Sequence, residues 1–83
     1  MLKVSVISPE SVLFEGEAAS VVAPAFDGEI GILENHAPLM TLLGKGVLRL
    51  GGGSANRSFT VEGGFLQVVE NNVRVVTEKA VAS

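Results

Sequence analysis

The chain alternates from its first residues. In LKVSV, Leu2, Val4 and Val6 fall on one side and Lys3 and Ser5 on the other. That period of two belongs to a half-buried strand. Pro9, in SPE, ends the run, because proline cannot donate to a ladder. VLFEGEAASVVA resumes strand character, with Val12 and Phe14 predicted on one side, Gly16 at a bend or bulge and Pro24 closing the run. Asp27-Gly28 is a tight-turn dipeptide, and Ile30 and Ile32 mark a short strand after it. ENHAP reads as loop, where Pro38 biases Ala37 away from helical geometry. LMTLL, between Pro38 and Gly44, has little room for a helix and reads as extended.

GVLRL and SFTV predict two strands joined by GGGSANR, with Val47 opposite Val61 if the loop is symmetric. GGFLQVVENNVRVVTE predicts a hairpin turning at Asn71-Asn72, a pair that tolerates left-handed backbone. KAVAS reads as a short tail. Many short strands, frequent turns and no helical period predict an all-β protein. The pattern gives seven to ten short strands, and the expected fold is a flattened antiparallel β-sandwich or barrel. No repeat and no linker interrupts the pattern, so a single domain is expected over 1–83.

Composition narrows the picture. The apolar fraction is 47%, without Trp or Tyr and with four Phe, so Val, Leu and Ile must build the core. Cysteine is absent, which removes disulfides and thiolate metal sites. The net charge is −3 and the six basic residues are scattered. Nucleic acid and anionic lipid surfaces both require a basic patch, so neither is expected as a partner. No apolar run approaches the roughly 20 residues of a spanning helix.

Candidate chemistry is concentrated in FDGEIGILENHAPLMTLLG, residues 26–44. His36 is the only histidine, and no Cys and no nucleophile-elbow serine accompanies it. Catalysis needs a nucleophile, base and orienting group together, and zinc needs three or four ligands. His36 is therefore read either as bonded within its own loop or as presented to a protein partner. Asp27, Glu29 and Glu34 form an acidic cluster at an expected turn tip, where carboxylates are normally solvated. Gly51–Gly53 lies between two strand patterns without a following GK[ST], so a hairpin loop fits better than a phosphate cradle. Gly28, Gly31, Gly63 and Gly64 are read as positions of positive φ or of close backbone approach.

GEIGILENHAPL resembles the signature of the epsilon subunit of rotary (F-type) ATP synthases, which runs G-E-(apolar)-G-(apolar) toward H-A-P-(apolar). VISPESVLFEGEA resembles the family's opening, and GVLRL and VEGGFLQVVENNVRVVTEKA resemble its later strands. The likeness covers residues 2–80; Glu34 departs from the commoner Pro. It implies a flattened ten-stranded sandwich without its own active site, cofactor or metal. It also implies a rotor part that binds the gamma subunit and the polar loops of the c-ring, without lipid insertion, at the cytoplasmic face of a bacterial membrane. The family's C-terminal helical hairpin has no counterpart in these 83 residues. By position, the resemblance assigns Ser8, His36, Ala37, Pro38, Leu39 and Met40 to the gamma contact. It assigns Asp27, Gly28 and Glu29 to the c-ring contact. Without the resemblance, the strand pattern also fits a free-standing sandwich that binds a peptide or small ligand.

Overall fold

The computed structural model describes residues 1–52 and 56–82. Ten strands follow in order: β1 Leu2–Ile7, β2 Val12–Ala18, β3 Ser20–Ala25, β4 Gly28–Leu33, β5 Leu39–Leu42, β6 Lys45–Gly51, β7 Arg57–Glu62, β8 Phe65–Val69, β9 Asn72–Val76 and β10 Lys79–Ala82. They form two five-stranded sheets, β2-β1-β9-β8-β5 and β10-β7-β6-β3-β4, with no helix among the described residues. All pairings are antiparallel except β1 with β9, which run parallel. The expected sandwich is observed, in mixed rather than purely antiparallel form.

Alternation decides what faces inward. Val4, Val6, Leu66, Val68, Val73 and Val75 from one sheet are buried, as are Val21, Ile32, Leu48, Leu50, Phe59 and Val61 from the other. The core is aliphatic apart from Phe59, with Phe14 packed against its margin. The Arg57 guanidinium sits 5.6 Å from the Phe14 ring centroid, joining β7 to β2 at the rim of the sandwich. Such a contact contributes about 0.5–1 kcal/mol at an exposed site.

Several local expectations shift by a residue. The ladder pairs Val6 with Phe14 and Ile7 with Val12, so Leu13 is the extra residue of a bulge. Val12 therefore does not share a side with Phe14, and Gly16 sits in regular register opposite Val4. A Cβ on Gly16 would lie 3.0 Å from the Phe14 ring, so its smallness serves packing rather than a bend. Pro24 lies inside β3, not beyond it; pairing with β6 ends at Val22, so the proline disrupts no ladder there. Val47 opposes Thr60, and Val61 opposes Gly46. The β8–β9 turn is Glu70-Asn71, both with positive φ, one residue earlier than expected. KAVA forms β10 on the edge of its sheet rather than a tail. Gly51 ends β6, Gly52 follows at φ +68°, and Gly53 lies outside the described residues.

The two sheets meet at one corner through backbone hydrogen bonds. Phe26 N–H donates to Leu42 O (3.1 Å), Leu43 N–H to Gly64 O (2.9 Å) and Gly44 N–H to Pro24 O (2.7 Å). Gly63 and Gly64 both have positive φ. At Gly64 (φ +102°) a Cβ would also fall against the Val76 carbonyl and 2.7 Å from Thr77 Cα. The buried Thr77 hydroxyl bridges this corner, within hydrogen-bonding distance of Gly63 O (3.1 Å) and Lys79 O (2.9 Å).

Two stability predictions follow from the corner. Gly64→Ala is expected to destabilise by at least about 2 kcal/mol, through strained φ and a backbone collision. Thr77→Val is expected to cost about 1 kcal/mol, because the part-buried carbonyls of Gly63 and Lys79 lose a donor. Urea unfolding with an unchanged m-value checks both, and a shift below about 0.5 kcal/mol at Gly64 would contradict the crowding.

Candidate functional site

Three surface features are assembled from residues far apart in sequence. The first is the β3–β4 turn. Phe26 and Asp27 occupy its tip, and Gly28 follows at φ +134°, a conformation suited to glycine. Asp27, Gly28 and Glu29 are all exposed, as the sequence suggested. Glu29 is not free: Arg49 Nη2, on β6, reaches its Oε2 at 3.2 Å across the intervening β3. Both side chains are more than half exposed, so the pair is weak, at about 0–1 kcal/mol. Gly31 has neither a positive φ nor any neighbour within 4 Å of an added Cβ, and nothing in the structure explains it.

The second is the loop between β4 and β5. The Met1 ammonium pairs with Glu34. Asn35, at φ +66°, donates its N–H to Asn71 Oδ1 (2.6 Å), tying the loop to the β8–β9 turn. His36 N–H donates to Leu33 O (3.2 Å). His36 Nδ1 lies 2.7 Å from Ala37 O. A carbonyl only accepts, so Nδ1 carries a proton in this contact, and it is in the neutral tautomer that Nε2 is an acceptor. The histidine thus bonds within its own loop. Ala37, Pro38 and Met40 are exposed beside it, while Leu39 is half-buried against the core.

The third feature is one the sequence reading missed. Register aligns Val12, Ile7, Val76, Phe65 and Leu42 as consecutive partners across all five strands of the first sheet, on its outer face. At the usual ~4.8 Å strand spacing this apolar row is roughly 19 Å long. Its ends are the most open: Val12 is 57% and Leu42 62% exposed. The next outward row, Glu15, Ser5, Arg74, Gln67 and Met40, is polar except at its β5 end. Ser8 directly follows Ile7, the member of the row on β1, and Met40 stands in the adjoining row, two residues before Leu42 on β5. The row thus lies between Ser8 and Met40, two parts of the suggested gamma contact. His36 and Ala37 lie at the far end of β5, away from the row. The period-two signal of each strand contains these residues, but their alignment exists only through the β1–β9 and β5–β8 pairings.

The remaining chemistry is sparse. One open surface concavity lies over β1 and is lined by Lys3, Ser5, Glu15, Glu17 and Arg74 among others. Among the described residues, no group of three or more His, Cys, Asp or Glu is placed to hold a metal ion. Recognition by surface complementarity is what this arrangement can perform.

Comparison with known proteins agrees with that character. Residues 1–83 match the family described as ATP synthase, Delta/Epsilon chain, beta-sandwich domain. The ATP synthase epsilon chain of Leptospira borgpetersenii is 49% identical over 77 residues, covering 93% of this chain and 61% of that protein. The epsilon chain of Caulobacter vibrioides is 39% identical over 80 residues, covering 96% of this chain and 93% of that one. The chain thus spans about three fifths of the Leptospira relative and nearly all of the Caulobacter one. A chain in the cryo-EM structure of Euglena gracilis mitochondrial ATP synthase (OSCP/F1/c-ring, rotational state 1) shares the fold. It has TM-score 0.88 and 23% identity, covering 98% of this chain and 52% of that one. A chain in the Tetrahymena thermophila mitochondrial ATP synthase structure (central stalk/c-ring) has TM-score 0.79 and 16% identity, covering 96% and 65%. The sandwich described above belongs to the ATP synthase delta/epsilon chain β-sandwich family.

Proposed function

We propose that the chain is a non-catalytic central-stalk part of an F-type, proton-translocating ATP synthase. It binds the gamma subunit on one side and the polar loops of the c-ring on another. It helps couple proton flow to ATP synthesis, as a peripheral component at the cytoplasmic face of a bacterial membrane. Family membership supports the assignment, and the apolar row on the outer face of β2-β1-β9-β8-β5 carries the docking argument.

An apolar strip left in water by folding is stabilised when a second protein covers it. The row from Val12 to Leu42, with Ser8 beside its Ile7 and Met40 on the strand of its Leu42, forms the seat for gamma. Leu39, on the same strand as Met40, turns inward and anchors it to the core. The loop of His36, Ala37 and Pro38 borders the same edge strand, where Nε2 accepts a hydrogen bond from the partner. The turn of Asp27, Gly28 and Glu29 faces the ring. Exposed carboxylates there favour orientation more than affinity. Torque transfer requires that the part between shaft and ring not deform. A close-packed aliphatic core with backbone closure at its corner meets that need.

The purified chain is expected to co-elute at micromolar concentration with a gamma-containing complex stripped of its own epsilon, and to hydrolyse no ATP alone. Failure to co-elute would count against the stalk assignment. Val12→Lys combined with Leu42→Lys is expected to weaken that binding at least about tenfold with thermal unfolding unchanged. Undiminished affinity would place gamma on another face. Asp27→Lys with Glu29→Lys is expected to lower ATP-driven proton pumping in reconstituted complexes while gamma binding persists. If gamma binding vanished instead, this turn would belong to the gamma contact.

A further inference from the structure

The β3–β4 turn presents an aromatic ring as well as carboxylates. Phe26 is 68% exposed, the highest value among the exposed large apolar side chains described. Its backbone is fixed by the hydrogen bond to Leu42 O, so the ring stands at the corner where the sheets join. Leu42 and Met40, 62% and 63% exposed, face outward on the adjoining edge strand β5. The neighbouring charges differ in their freedom. Glu29 is held by Arg49, whereas the Asp27 carboxylate has no hydrogen bond or ion pair among the described residues.

We propose that this turn docks by inserting the Phe26 ring into an apolar crevice of its protein partner, with a Lys or Arg at the crevice rim receiving Asp27. Phe26, and not the carboxylates, sets the affinity. The inference rests on the reading that the turn meets the ring, and it changes which residue matters there. Exposed ion pairs contribute little, because both charges are already well solvated. An aromatic side chain carries a large apolar area at low conformational cost, and such anchors dominate interface energetics when enclosed. Folding itself places the Phe26 ring in water, so its burial on docking is unspent stabilisation. The occupant is therefore the c-ring surface of the stalk reading, with an apolar crevice for Phe26 and a basic group at its rim. The acidic balance of this chain complements it.

The test uses a detergent-solubilised rotor of c-ring and gamma assembled without epsilon, immobilised for binding measurements, with isolated gamma in parallel. Phe26→Ala is expected to weaken rotor binding about 30-fold, the scale of an enclosed aromatic anchor. Phe26→Leu is expected to restore most of the affinity, and Glu29→Gln to change it by less than about twofold. Affinity for isolated gamma and the thermal midpoint are expected to be unchanged. Rotor affinity within twofold of the parent chain for Phe26→Ala would overturn the proposal, as would an equal loss on isolated gamma. So would a self-association of the chain abolished by Phe26→Ala while rotor binding stays intact. A parent chain that binds neither gamma nor rotor would instead overturn the stalk reading itself.

Discussion

The corner where the sheets join is the constraint on which the rest of the molecule depends. There the backbones of Pro24–Phe26, Leu42–Gly44 and Gly63–Gly64 exchange hydrogen bonds at 2.7–3.3 Å. A sandwich of ten short strands has a small core, and the faces alone would leave its open side free to slip. Closing that side with backbone pairs fixes β5 against β8 and fixes the β3–β4 turn beside β5. It also explains the double glycine. Only a residue without Cβ fits between the Val76 carbonyl and Thr77 Cα at the φ that Gly64 adopts.

This closure gives the exterior its organisation. Because the register of the first sheet is fixed, outward side chains form rows across it rather than isolated points. The row nearest the corner is apolar and the row beside it mostly polar. A surface sorted in this way can be covered by a partner along one strip while the charged part stays hydrated. The opposite sheet differs, since its outer face mixes the Arg49–Glu29 pair with single apolar side chains such as Val47 and Val81. Scattered single apolar residues are ordinary for a protein surface. The asymmetry between the two faces makes the first sheet the better seat for a large partner.

The loop containing His36 illustrates how an apparently chemical residue serves geometry. Its ring bonds to the adjacent carbonyl, its N–H closes on Leu33, and the neighbouring Asn35 is tied to Asn71. These contacts hold the segment between the two sheets in one shape. A lone imidazole committed to its own backbone, without a neighbouring nucleophile, has the properties of a shaped contact surface rather than of a base.

The sequence by itself determined most of the strand content, the single face shared by Leu2, Val4 and Val6, and the turn at Asp27-Gly28. Alternation is local, and Asp-Gly or Gly-Gly restricts its own backbone wherever it occurs. It also carried, in GEIGILENHAPL, enough ordered positions to indicate the family and the exposed Asp27–Glu29 turn. It misplaced Val12 relative to Phe14, and Val47 relative to Val61, because a bulge or an uneven loop moves register by one residue without altering composition. It did not reveal β10, whose KAVA segment is a strand only because β7 offers an edge to pair with. Nor could it reveal the apolar row or the apolar corner around Phe26. Those are made by residues that meet across strands distant in sequence: the row through the parallel β1–β9 pair, the corner through the contact of Phe26 with Leu42. Which side chains lie side by side is a property of pairing, and pairing is settled only when the two sheets bury their inner faces against each other.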